Sequence, residues 1–199
     1  MVVAAFLLAY ITGGEPRVVH TFAGYTLVIY VALRVVWGFV GPPHARFSNF
    51  VSSPARAARY LVDLLRGRSA RHIGHSPAGG LMIVLLLLAL AATTTAGMTL
   101  YALHDGAGPL AGIVASAAPL GLAEEPEAGE DPRVEFWEET HELLANLTLL
   151  FVLLHVAGVI TASIKHRENL VKAMLTGRKR SGAASGEALQ PSRGKSEGP

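Results

Sequence analysis

The chain has 199 residues, 51% of them hydrophobic, 16% charged and none cysteine, and its formal net charge is +2. The apolar residues are gathered into runs long enough to cross a bilayer, which marks an integral membrane protein rather than a soluble domain. The absence of cysteine excludes disulfides, Cys-ligated iron–sulfur clusters, zinc ribbons and covalently attached haem, and leaves histidine as the obvious metal ligand.

The first apolar run, Val2 to Thr12 (VVAAFLLAYIT), makes about 16 Å of helix, half of a bilayer. No basic residue precedes it and another apolar helix follows, so it is a poor signal peptide. Gly13, Gly14 and Pro16 then form a tight turn. The expectation is a first helix whose opening part is missing, through a start assigned too late or a shortened chain. An intact half-helix dipping into the membrane is the alternative.

The second run, Arg17 to Val40, is long enough to span. His20 lies in its first turn, and Gly24 one turn further on would let a flat macrocycle approach the backbone; ordinary close helix packing explains Gly24 about equally well. Arg34, fourteen residues after His20, shares its face. It could pair an acidic substituent of a bound group, although a snorkelling arginine is the commoner explanation. Trp37 suits the interfacial aromatic belt.

Between Gly41 and Gly80 the chain turns to Pro, Arg, Ser and Gly, with an amphipathic piece, Ala55 to Leu65 (ARAARYLVDLL). That piece is expected in the headgroup region, its arginines toward anionic lipid. His44, His72 and His75 fall in this stretch and read as surface residues. The third run, Leu81 to Leu103, is a clear span without a buried histidine. Thr93, Thr94, Thr95 and Gly97 give it a small, weakly polar patch for close packing. Asp105 to Glu139 is a long acidic loop whose Ala-rich middle (LAGIVASAAPLGLA) could form a short helix.

The fourth run, Trp137 to His166 (WEETHELLANLTLLFVLLHVAGVITASIKH), carries His141 and His155 inside a span. Fourteen residues at about 100° each are nearly four whole turns, so both imidazoles leave one face, roughly 21 Å apart along the axis. Ionisable residues within a span are functional candidates, because unpaired polar groups in hydrocarbon cost several kcal/mol. Two on one stripe suggest two haem irons stacked across the membrane; the plain alternative is a hydrogen bond to a neighbouring helix.

Charge sets the expected topology. Six arginines (Arg46, Arg56, Arg59, Arg66, Arg68, Arg71) face one acid, Asp63, between the second and third runs, and eight Lys and Arg follow Ile164. His104 to Thr140 holds nine acids and one arginine, Arg133. The positive-inside rule then places both termini and the basic loop in the cytoplasm and the acidic loop on the far side. The expected architecture is an all-α integral membrane four-helix bundle over residues 1–180, with helices about 2–12, 17–40, 81–103 and 137–164 and the first of them truncated. Residues 181–199 read as a disordered cytoplasmic tail.

Four strings, HTFAGYTLVIYVALRVVWGFVGPPHARFSNFV (His20–Val51), GHSPAGGLMIVLLL (Gly74–Leu87), HELLANLTLLFVLLHVAGV (His141–Val159) and HRENLVKAMLTGRKR (His166–Arg180), occur in this order. With them the chain resembles the bacterial di-haem b-type cytochromes of four transmembrane helices, which include cytochrome b561-like proteins and the cytochrome b subunit of nickel-iron hydrogenases. The resemblance implies two haem b groups held by four histidines: one on the first helix, one at the start of the second and two on the fourth. Carried onto this chain, metal ligation falls on His20, His141 and His155. Depth pairs His20 with His141 and leaves His155 for the cytoplasmic-side haem, with Gly24 and Arg34 as haem-contact residues. The first-helix ligand, usually in an Arg-x-x-His-Trp context, would lie about one half-helix before Ile11, ahead of Met1, so the expected truncation and the missing ligand are the same defect.

Two functions of different class follow. One is electron transfer across the bacterial inner membrane through two haems, as a subunit rather than a stand-alone catalyst, between quinone or another acceptor and a periplasmic c-type cytochrome or hydrogenase. The other is a haem-poor or single-haem membrane anchor for a periplasmic redox protein. Membrane lipid surrounds either, a homodimer is compatible with both, and nothing points to nucleic acid. A transporter is disfavoured by the lack of an internal repeat or of paired broken helices.

Overall fold

The structure is a computed structural model, and it describes residues 2–13, 16–43, 45–66, 68, 76–116 and 132–165. Seven helices and no strand occur among them: α1 (Val2–Ile11), α2 (Arg17–Val40), α3 (Phe47–Phe50), α4 (Pro54–Leu65), α5 (Pro77–Asp105), α6 (Ala111–Ser116) and α7 (Pro132–Lys165). The expected tail at 181–199 and the histidines His44, His72, His75 and His166 lie outside the described residues.

Local chemistry sets the helix ends. Pro16 is extended and precedes α2, while Gly41 closes it by donating its N–H to the Trp37 carbonyl at 2.9 Å, with Pro42 next. Helix α5 begins at Pro77, ahead of its apolar run, because the Ser76 hydroxyl accepts from Gly79 N–H at 3.2 Å and proline suits the first helical position. It ends at Gly106, whose φ of 61° is left-handed and suits a residue without a side chain. Helix α7 likewise starts at Pro132, with Glu135 in its first turn, so a polar turn precedes its apolar part.

Three helices, α2, α5 and α7, are long and apolar enough to cross a membrane, and α1 is shorter. Helix α5 is central, packing on α7 and α2, while α1 packs on α2. Arg17 at the start of α2 meets Asp105 at the end of α5, and along α7 His141 meets Gly97 while the later Thr148 meets the earlier Thr93, so these neighbours are antiparallel. The core joins Phe6 and Ala9 of α1, Ala23, Leu27 and Val31 of α2 and Leu90 of α5, with Leu149 and Val152 of α7 against it. The four-residue spacing on α2 forms one ridge along that helix.

The outer surface is the reverse of a soluble protein's. Val18 is 80% exposed, Phe22 72% and Ile164 71%, and along α7 Thr148 is the one buried residue among those described. Apolar faces of this extent are stable against lipid tails and would aggregate in water. Threonine hydroxyls within the spans bond inside the protein: those of Thr94, Thr95 and Thr161 each donate to a carbonyl four residues back, at 2.7–2.8 Å, and of Thr93 and Thr148, each 2.8 Å from such a carbonyl, one donates there and the other to its partner hydroxyl. The molecule is therefore an all-α membrane bundle.

Between α5 and α7 the Thr93 and Thr148 hydroxyls lie 3.0 Å apart, and Thr148 is fully buried. Thr148→Val keeps the shape and removes this link, while Thr93 retains the Ala89 carbonyl. The expected loss is about 0.6 kcal/mol, the usual worth of such a bond within a membrane, read as a small fall in thermal midpoint in detergent.

Candidate functional site

His20 and His141 meet between α2 and α7, their ring centres 5.9 Å apart and their planes at 88°. Each ring is fixed by a different neighbouring helix. His20 Nδ1 lies 2.8 Å from the Ala9 carbonyl in the last turn of α1, one of the helix-end carbonyls that need a partner from outside the helix. His141 Nδ1 lies 3.0 Å from the Thr93 carbonyl of α5. A mid-helix carbonyl has a second lone pair for such a bond, provided the ring can come close.

Gly97 provides that access. A Cβ there would stand 2.9 Å from His141 Cε1 and 3.2 Å from Nδ1, closer than real side chains pack. The ring thus occupies the space that any other residue's side chain would fill.

These two bonds decide the chemistry of the pair. A carbonyl can only accept, so both Nδ1 atoms carry a proton, and in the neutral ring it is Nε2 that presents the lone pair. An Nδ1–H bonded to a carbonyl is the usual support for a metal-ligating imidazole, fixing its tautomer and raising its basicity. With metal–nitrogen bonds of about 2 Å, two imidazoles on opposite sides of one metal have ring centres roughly 6 Å apart, and the observed separation fits. No group of three His, Cys, Asp or Glu occurs among the described residues. A pair without further protein ligands suits a haem, which supplies four nitrogens itself and takes two axial ligands from the protein. Gly24 has no heavy atom within 4 Å of where its Cβ would be, so the face of α2 one turn beyond His20 is open.

The other candidates sit elsewhere. His155 is half-buried on α7 and makes no hydrogen bond to a described residue. Arg34 reaches the Ala45 carbonyl at 3.5 Å and lies over the Phe47 ring, 5.3 Å from its centre. It also borders an apolar hollow of about 480 Å³ between α1, α2 and α5, beside Tyr30, Trp37 and Leu90; His155 is not among the lining residues. The structure therefore joins His20 with His141 and leaves His155 apart from both. At the opposite end of α2 from Arg34, Arg17 pairs with Asp105 at 3.2 Å; both are solvent-accessible, so Asp105→Asn is expected to change the thermal midpoint by no more than a salt bridge of about 0–1 kcal/mol would.

The residues that support the pair are less visible in the sequence. The Thr93–Gly97 segment reads there as a packing patch, and its small residues are the only trace of a ring held against α5. The Ala9 carbonyl leaves no trace at all, since a backbone acceptor has no residue type. Tyr10 donates to Asn146 Oδ1 at 2.7 Å and ties α1 to α7 one turn from the pair.

The family model of prokaryotic cytochrome b561 matches residues 1–177. Among curated proteins, the chain is similar to the probable Ni/Fe-hydrogenase B-type cytochrome subunit of Rhizobium leguminosarum bv. viciae, 28% identical over 193 residues, covering 87% of this chain and 70% of the relative. Proteins of the same description from Azotobacter chroococcum mcd 1 (29% identical, 86% of this chain and 69% of the relative) and Cupriavidus necator (27%, 87% and 69%) are also similar. No solved structure matches. The chain belongs to the prokaryotic cytochrome b561 family and is a multi-pass membrane cytochrome of the b type.

Proposed function

We propose that this chain carries electrons across the bacterial inner membrane through two haem b groups, with His20 and His141 as axial ligands of one and His155 as a ligand of the other. The observation that carries this reading is the His20–His141 pair, each ring anchored through Nδ1 to a carbonyl of a different helix. When bound, haem supplies a one-electron iron couple at the pair. The chain's own part is positioning. Ala9 and Thr93 hold the two imidazoles in orientation, Gly97 lets one ring reach α5, and Gly24 leaves room beside the other. The apolar core of Ala23, Leu27 and Val31 keeps water from the face below.

The relatives' description as hydrogenase cytochrome subunits supports a Ni/Fe-hydrogenase as the electron-donating partner. A periplasmic c-type cytochrome would use the same acidic far-side loop, and quinone is the acceptor proposed on the other side. Both termini and the arginine-rich loop face the cytoplasm in this arrangement. A single-haem module is the second reading, favoured by one observation: no described histidine is paired with His155 as His20 is with His141.

Haem per chain, measured by pyridine haemochrome on the purified protein together with the reduced-minus-oxidised spectrum, decides between them. Two haems support the electron-transfer reading, one supports the single-haem module, and none rejects both. Gly24→Leu adds a discriminating case. Its side chain enters open space, so helix content and the melting point of the haem-free chain in detergent are expected to hold while most of the haem beside His20 is lost. Full haem content in that variant would place the macrocycle elsewhere.

A further inference from the structure

Helix α4 presents three faces rather than two. Ala57, Tyr60 and Leu64 are buried, at the spacing of one helix face, and α4 packs on α5. At about 100° per residue, Arg56, Arg59, Asp63 and Arg66 fall roughly 120° around from that face, and Ala58, Leu61 and Val62 a further 120°. Both of these faces are exposed; Leu61 is 46% and Val62 43% accessible. A helix on the surface of a soluble protein needs one apolar face, which it buries. Here a second apolar face looks away from the protein beside a cationic one, and only a boundary between hydrocarbon and water satisfies both.

Among the described residues the arginines of this face, Arg56, Arg59 and Arg66, have no ion-pair partner, and Asp63 pairs with none of them. Arginine presents a planar fork of donors that matches a phosphate bidentately. In the chain the helix follows the C-terminal end of α2 and precedes the N-terminal end of α5, in the arginine-rich connection between two candidate spans. We infer that α4 is an in-plane docking surface for anionic phospholipid, with Arg56, Arg59 and Arg66 on the phosphodiester headgroups and Leu61 and Val62 among the acyl chains. The partner is a lipid of the phosphatidylglycerol class in the leaflet next to the arginine-rich loop.

Native mass spectrometry of the detergent-solubilised full chain, titrated with phosphatidylglycerol or phosphatidylcholine, tests the headgroup part. Phosphatidylglycerol is expected to bind about tenfold tighter at low salt. The combined Arg56→Gln, Arg59→Gln and Arg66→Gln variant loses that excess, and the corresponding triple lysine variant, which keeps the charge without the fork, keeps only part of it. Equal affinities in the unaltered chain, or an excess that survives the glutamines, would overturn the inference.

Depth is read separately, because the chain has no cysteine and a single label is unique. Spin labels on Leu61→Cys and Arg59→Cys in phosphatidylglycerol vesicles are expected to differ, the first accessible to oxygen and shielded from a water-soluble nickel chelate, the second the reverse. Equal chelate access at both positions would also overturn it. Neither readout involves haem, so its failure leaves the electron-transfer reading untouched.

Discussion

His141→Ala is expected to abolish the haem proposed beside His20, and added imidazole to restore it. The reasoning is local. His141 is the α7 half of the only histidine pair among the described residues, and its removal leaves His20 with no nitrogen opposite. An iron held by one protein ligand loses the bis-imidazole field and with it the low-spin spectrum. The fold should survive, since the α5–α7 contact persists through Thr93 and Thr148 a turn or two away. Imidazole rescue separates loss of a ligand from failure to fold. A variant that kept the full low-spin spectrum would show that His141 only packs against α5.

The second large effect is at Gly97, which touches no haem in this account. Gly97→Ala puts a Cβ 2.9 Å from His141 Cε1, so the ring must shift and its bond to the Thr93 carbonyl is disturbed. Gly97→Leu leaves the ring no place on α5. Loss of an interaction that orients a metal ligand typically costs about 10- to 100-fold in affinity, so haem at this site is expected to dissociate on dilution in the alanine variant and to be absent in the leucine variant. Gly158→Ala on α7 is the control. Nothing lies within 4 Å of its Cβ, and alanine favours helix over glycine by up to about 1 kcal/mol, so haem affinity and spectrum should not change. A harmless Gly97→Leu would mean that His141 is not held against α5 as described.

The fold class was legible because a bilayer imposes a simple rule, long uninterrupted apolar runs, and the runs that become α2, α5 and α7 obey it. The ends of these helices were less so. Hydropathy marks where a run is apolar, whereas α5 starts at Ser76 and Pro77 for reasons of capping, in a stretch of Ala and Gly that no hydropathy window selects. The pairing of His20 with His141 was readable from periodicity and depth, both one-dimensional properties of the sequence. What holds the pair was not. Two backbone carbonyls, at Ala9 and Thr93, and an absent side chain at Gly97 do that work, and none is a residue type that announces chemistry. Arg34 shows the converse: its register with His20 is as the sequence gives it, yet its guanidinium contacts Ala45 and Phe47 of the following loop, partners that register cannot reveal.

The most direct test of the central claim, that His20 and His141 are the two axial ligands of one haem, is low-temperature electron paramagnetic resonance of the oxidised protein. It should be compared with His20→Ala and with His141→Ala. The account predicts a low-spin bis-imidazole ferric signal that both substitutions remove together, each leaving any signal that depends on His155 unchanged. A signal lost in one variant and intact in the other would contradict the shared site.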